Sequence, residues 1–309
     1  MRYSLIAVSG LLAAVSGHGL VTSIQGANGV SMPGLSVADG TPRDCDTNGC
    51  GSQADTSIIR DREISSGKAS PLGRTQGNGP VDAATMIQNF MGGKAAPTNN
   101  GSADSVGQED NIPSNIPNKR NKSFVRGLGD LLSGLTGGNS GKNAGTKTSE
   151  ATETSVAASA GKGATSGLPT CADDGSITMT FRQINQDGAG PLEAAVDGTS
   201  GGTQASAFQN AEVTQDVPGS KLLGGLSLAT KTDFPLTVQM PAGMTCDASV
   251  GGADNVCVVR VRNNAVAGPF GGSAAFTQSP AARKRALEYR RKMKRQSQQN
   301  SEQNRRLRK

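Results

Sequence analysis

Ile177-Thr178-Met179-Thr180-Phe181-Arg182 alternates apolar and polar side chains, the two-residue period of a strand with one face against a core. Strand-like runs follow at Ala211–Val217, Pro235–Met240 and Val256–Val261, separated by turns rich in Gly, Asp and Pro. Several short strands at such spacing predict a mainly β protein, a β-sandwich. Working outward, His18–Gln25 adds another strand through Leu20, Val21 and Ile24. After Pro80, Ala84, Ile87, Phe90 and Met91 recur at helical spacing and predict a helix over Val81–Met91. Between these regions, residues 98–170 are rich in Gly, Ser, Thr, Ala and Asn and poor in apolar side chains. Such a segment buries too little surface to order itself, so a long disordered insertion is expected there. Neither flank looks self-sufficient. The expected organisation is one sandwich domain built from residues 18–97 and 171–279, interrupted by the insertion and followed by residues 280–309 as a basic helix or tail.

Composition narrows the chemistry. The 309 residues include 42 glycines, and only 34% are hydrophobic, which again places part of the chain outside the core. There is no tryptophan, and the two tyrosines are Tyr3 and Tyr289. Flat aromatic platforms for sugar rings or bases are therefore largely missing. The net charge of +6 is divided unevenly. Residues 280–309 hold twelve Lys or Arg against Glu288 and Glu302, giving +10 and leaving −4 for the rest. The plain reading of such a tail is a solvated helix or a disordered segment, and adhesion to an anionic surface comes next. Ala282, Ala286, Tyr289 and Met293 draw a weak apolar stripe along it, and Ser279-Pro280 is a helix entry signal.

The first residues read as a secretory signal peptide, 1–17. Arg2 gives a positive start, Leu5–Val15 an apolar stretch, and Val15 and Gly17 occupy positions −3 and −1 before His18. Cleavage after Ser16 is the alternative. No later segment has the roughly 20 apolar residues of a membrane span, so the expectation is a secreted, extracellular protein. Five cysteines then favour disulfides; Cys45–Cys50 and Cys246–Cys257 are the natural pairs because each closes a local loop, with Cys171 left over, and spacing alone leaves the connectivity open. Asn100 and Asn121 head glycosylation sequons, and the dibasic pairs Lys119-Arg120, Lys284-Arg285 and Lys294-Arg295 suit kexin-type processing.

Several strings occur in one order: His18-Gly19-Leu20-Val21, Met32-Pro33-Gly34-Leu35, Thr41-Pro42-Arg43-Asp44-Cys45, Gln183 through Asp187-Gly188-Ala189-Gly190-Pro191-Leu192, Arg260 through Asn264, and Ala267-Gly268-Pro269-Phe270-Gly271-Gly272. Together they resemble the fungal appressorium-associated secreted virulence-factor (Egh16-like) family, over nearly all of His18–Gln278. That resemblance implies an extracellular protein made when a fungus breaches a host surface, with no established enzymatic activity. The same strings more loosely resemble copper-dependent lytic polysaccharide monooxygenases. Those are immunoglobulin-like β-sandwiches whose mature chain begins with histidine, and this second likeness implies the fold more than the chemistry.

The residues test that chemistry. In a histidine brace, His18 would supply its terminal amine and imidazole to copper, and Phe270 would be the axial aromatic. A second imidazole is also needed, and His18 is the only histidine. The same fact removes multi-histidine zinc sites and ordinary Ser-His-Asp arrangements. Asp173, Asp174, Asp187, Glu193 and Asp197 could pair for glycoside hydrolysis, but turn formation explains most of them. Asp44, Asp46, Asn48, Gly49 and Asp55 mimic an EF-hand loop, although Cys45 and Cys50 would cinch it. The leading expectation is a secreted, non-enzymatic protein acting at a host surface or cell-wall component, without a cofactor and without a nucleic-acid partner. The rivals are a copper-binding, monooxygenase-like protein with an incomplete brace and a non-catalytic polysaccharide-binding module.

Overall fold

The strand that opens the sequence argument is the centre of one half of the fold. In the structure, a computed structural model that describes residues 18–46, 51–95, 97–99, 145–148, 150–186, 188–219, 227, 229–265 and 268–307, β7 (Ser176–Gln183) buries Ile177, Met179 and Phe181 on one face. Its antiparallel neighbour β10 (Thr232–Gln239) sets Val238, Leu236 and Phe234 directly opposite those three. Cross-strand apolar pairs of this kind are the unit of sheet stability, and each fully buried side chain contributes about 1.5–3 kcal/mol. On the other side of β7 lies β1 (Gly19–Gln25), carrying Leu20, Val21 and Ile24, and beyond it β2 (Ser31–Pro33).

The second half is built around β12 (Ala253–Arg262), flanked by β8 (Glu193–Asp197) and β13 (Phe270–Thr277). Short strands β3 (Ser57–Ile58), β4 (Arg74–Thr75) and β5 (Gly79–Pro80) extend it past β13. A side strand, β11 (Ala248–Val250), pairs with β12, and β6 (Thr146–Lys147) pairs with β10. The two halves are joined through β9 (Phe208–Gln215). Its residues 208–211 pair with β8, while 212–215 pair with β10. One antiparallel sheet thus runs β2-β1-β7-β10-β9-β8-β12-β13-β3-β4-β5 and curls on itself. Curling brings β1 against β13 so closely that a Cβ on Gly272 would sit 2.5 Å from the Val21 amide nitrogen.

The sequence expectation of a mainly β fold holds, with element ends shifted by a few residues. The helix expected over Val81–Met91 is α2 (Ala83–Phe90), following α1 (Asp61–Ser65) and capped by Asp82, whose carboxylate accepts the Ala84 amide. Of the strands that carry no sequence expectation, two flank β12. Glu193–Asp197 is too short to show a period, and Phe270–Thr277 lies in a glycine-rich stretch that reads as a turn.

Residues 145–170 differ from expectation, because this end of the expected insertion is packed against the domain. It carries α3 (Ser155–Ser159) and α4 (Gly163–Ser166), and Val156 is fully buried. The Asp39 carboxylate accepts the Val156 and Ala157 amides at 3.0 and 2.7 Å, capping α3 from 117 residues away. Glu153 and Asp55 both bond Arg43, which is 2% exposed. Those partners lie in the first half of the sequence, so local composition does not reveal that the segment is held.

Cys246 and Cys257 form a disulfide, and Cys171 is free and buried. Cys45 is also disulfide-bonded, while its expected partner Cys50 lies outside the described residues. The chain closes with α5 (Pro280–Leu307), whose Ala282 and Ala286 are buried. Arg283 bonds Asp247 at 3.0 Å and the Cys246 carbonyl at 2.9 Å, fastening the first turns to the disulfide loop. No helix among the described residues is long and apolar enough to cross a membrane.

Candidate functional site

Three chain segments meet at the start of β1: residue 18 itself, the loop after β7, and the loop between β12 and β13. They hold the strings that stand out in the sequence, although those strings lie up to 250 positions apart. His18 is 1% exposed, and its ring packs on Phe270 with centroids 4.4 Å apart and planes tilted by 34°. Its backbone nitrogen donates to Asn185 Oδ1 at 2.7 Å, and its carbonyl accepts the Ile184 amide at 2.9 Å. The structure therefore brings the two candidate metal-site residues, His18 and Phe270, into contact.

The glycines of the loop after β7 are explained by close approach. A Cβ on Gly188 would lie 2.0 Å from the His18 carbonyl oxygen, and one on Gly190 would lie 2.0 Å from the Val217 carbonyl oxygen. Only glycine lets the backbone come this near. Gln183, fully buried at the end of β7, donates from Nε2 to the carbonyls of Asn185 at 3.0 Å and Ala229 at 2.7 Å. Asp216 accepts the Leu192 amide, and burial raises its carboxyl above the ordinary range.

The second loop is organised by Asn263. Its Oδ1 accepts the Phe270 amide at 2.9 Å and the Ala265 amide at 3.2 Å. Its Nδ2 reaches the Ala189 carbonyl at 3.5 Å, joining the two loops. Outside them, Arg60 donates from Nε to the Gly268 carbonyl at 3.1 Å and pairs with Glu63, while Arg262 pairs with Asp61 at 2.6 Å. The neighbouring Arg260 stacks over Phe208 at 4.6 Å, and burial together with Arg262 pushes its guanidinium down to about 10. Asn185, Gln183 and Asn263 are the organising side chains. Sequence reading sees them only as members of quoted strings, because an amide in a turn between strands looks like ordinary turn chemistry.

Other candidate residues fall elsewhere. Asp197 is fully buried; against the opposing effect of burial, the Ser200 hydroxyl and the Ser200, Thr199 and Gly202 amides that it accepts hold its carboxyl below the ordinary range. Asp174 accepts the Ser176 amide and hydroxyl, and Asp173 accepts the Ser279 hydroxyl. These are turn and cap roles. Glu193 is exposed beside Arg262, and Asp187 lies outside the described residues, as do Asn100 and Asn121. The EF-hand likeness fails at its last position, since the Asp55 carboxylate is occupied by Arg43 at 2.5 and 3.0 Å.

The donor set can be tested against copper. His18 offers one imidazole and, once the chain is cut before it, one amine. Among the described residues, the side chain hydrogen-bonded to its backbone nitrogen is the amide of Asn185, which suits Cu(II) poorly as a replacement for imidazole. Among the described residues there is no group of three or more His, Cys, Asp or Glu placed to hold a metal. With the ring enclosed against Phe270, the residues present do not fit a histidine brace. What the arrangement does is clamp the start of β1 to two loops.

A profile of the Egh16-like virulence factor family matches residues 16–271, from just before β1 to the start of β13. The chain belongs to the Egh16-like family. It is 53% identical over 291 residues to the appressoria-specific virulence factor GAS2 of Pyricularia oryzae, covering 94% of this chain and 93% of that protein. The appressoria-specific virulence factor GAS1 of the same species is 40% identical over 126 residues, 39% of this chain and 47% of that protein. No solved structure matches the chain. The Egh16-like match begins two residues before His18 and takes in both glycine-rich loops of the clamp.

Proposed function

We propose that this chain is a secreted virulence-associated protein that acts at the host surface or cell wall during fungal penetration, without a catalytic step of its own. The observation that carries the reading is the 53% identity, over 94% of the chain, to a protein named as an appressoria-specific virulence factor. The signal-like residues 1–17 support secretion, with His18 as the first residue of the mature chain. The enclosed His18 ring supports a binding or structural role over an oxidative one, because an enzyme acting on polymers must expose its reacting centre. In this reading the mature chain turns the His18 amide into an α-amine still held by Asn185.

The test is made on the protein recovered from culture medium. N-terminal sequencing is expected to start at His18, and the labelled protein is expected to be retained on isolated host walls. Recovery only from cell lysate, or a first residue inside 1–17, refutes the secretory reading. Titration of the processed protein with Cu(II) is expected to show no tight stoichiometric site. Tight binding that is lost in His18→Ala would replace this reading with the copper-binding one.

A further inference from the structure

The helix α5 is two devices in one. Its first turns belong to the domain: Ala282 and Ala286 are buried, Arg285 bonds the Asp173 carbonyl, and Arg290 donates to the Gly243 carbonyl at 2.5 Å. The described residues from Leu287 onward are all exposed. At 1.5 Å per residue, Arg291 to Leu307 projects about 25 Å.

Cations are distributed around this helix unequally. Ala282, Ala286, Tyr289 and Met293 share the docked side. At 100° per residue, Lys284, Arg291, Arg295 and Arg306 fall on the opposite side, with Lys294 and Arg305 at its margins. None of these six makes a salt bridge among the described residues. Glu288 and Glu302 share that side and offset two of the charges. In the domain, Arg43, Arg60, Arg74, Arg182 and Arg262 are paired with carboxylates.

The side chains between the cations select the partner. Residues 294–306 contain no apolar side chain; apart from Glu302 and the cations they are Gln, Asn and Ser. An interfacial membrane helix needs an apolar face to bury, and this segment has none. Amides and hydroxyls both donate and accept, which matches sugar hydroxyls, while guanidinium pairs with carboxylate.

We propose that the projecting half of α5 is a binding arm for a linear acidic polysaccharide, its carboxylates taken by the cation ridge and its hydroxyls by the intervening amides. The choice of a polysaccharide over other polyanions rests on the extracellular reading above. The arm's capacity to bind does not depend on that reading.

The probe is polygalacturonate, a linear polyuronate, titrated against the full-length chain at several salt concentrations. Dextran, vesicles containing phosphatidylserine and duplex DNA serve as comparisons. The variant Arg291→Gln/Arg295→Gln/Arg305→Gln/Arg306→Gln removes four ridge charges while keeping good helix formers. A control, Arg62→Gln/Lys68→Gln/Lys94→Gln/Lys162→Gln, removes the same charge from the domain surface. Saturable polyuronate binding is expected, weakened at least about tenfold in the ridge variant at low salt. The log–log salt slope should fall by about 3, roughly 0.7–0.9 per lost cation. The control variant should bind as the parent does, and Arg→Lys at the four positions should retain most of the affinity.

Equal loss in both variants would reduce the effect to net charge and overturn the arm. Tighter binding to vesicles or DNA than to polyuronate overturns the choice of partner. Retention on host walls that survives the ridge variant leaves the proposed function standing without the arm. Polyuronate binding without wall retention does the reverse.

Discussion

Replacing Arg43 with methionine isolates what holds the post-insertion segment to the domain. Arg43 is 2% exposed, Asp55 0% and Glu153 4%. The guanidinium bonds Asp55 through two nitrogens, at 3.0 and 2.5 Å, and Glu153 through Nε at 2.9 Å. Arg43→Met leaves two carboxylates buried without their cation. Breaking a buried ion pair from one side costs about 3–5 kcal/mol. In a domain of this size each kcal/mol moves the melting temperature by about 2–4 °C, so a drop of roughly 10 °C is expected.

The effect carries a pH signature. Burial opposes ionisation of Glu153, yet Arg43 and Ser155 hold its carboxyl below the ordinary glutamate range. A depressed carboxylate contributes stability above its unfolded value and loses it as pH falls through the folded one. The parent's advantage over Arg43→Met should therefore be full at pH 7 and shrink below about pH 4. Arg43→Met/Asp55→Asn/Glu153→Gln should recover most of the loss, because the orphaned charges are gone. Urea unfolding followed by circular dichroism at pH 7 and at about pH 3, below the range where the advantage starts to shrink, measures all three proteins. A loss below about 1 kcal/mol at pH 7, or an equal loss at both pH values, would refute the claim that this triad carries charge-dependent stability.

The clamp around His18 makes further predictions. Gly188→Ala drives a Cβ into the His18 carbonyl and should destabilise by several kcal/mol, about 3 or more, whereas Gly29→Ala, with open space but a positive φ of 79°, should lose about 1 kcal/mol by the same unfolding assay. His18→Phe should retain most of the stability of the ring contact with Phe270, while His18→Ala should lose about 2 kcal/mol or more; equal melting temperatures for the two would contradict a packing role. Cys171 is buried and its thiol is raised by that burial. It should resist a thiol reagent at pH 8 in the native protein and react at once in denaturant. Brief trypsin treatment should trim α5 after Arg291, Lys292, Lys294 or Arg295 and spare Arg283, which is held to Cys246 and Asp247. First cuts at Arg283 would show that the early turns are not docked.

How much could be read beforehand differs by element. The alternation in β7 and β10 was legible because one face is buried, and burial writes its period into the sequence. β9 gave a poorer signal, since it is the corner strand and mostly exposed. β13 was hidden because Gly272 answers close contact with β1, and Gly271 close contact with β12, and not a local conformation. The same holds for the start of α3, capped by Asp39 across the insertion.

The sequence by itself determined the strand-rich class, the cationic character of residues 280–309 and the exclusion of chemistry that needs two histidines. Each depends on composition or on neighbours a few residues apart. Only the tertiary structure decided what His18 does. Enclosure against Phe270, the bond to Asn185 and the fit of Gly188 depend on how the sheet curls to bring β1 beside β13. A contact between residues 250 positions apart leaves no period in the chain, so the sequence shows a histidine and the fold shows a clamp.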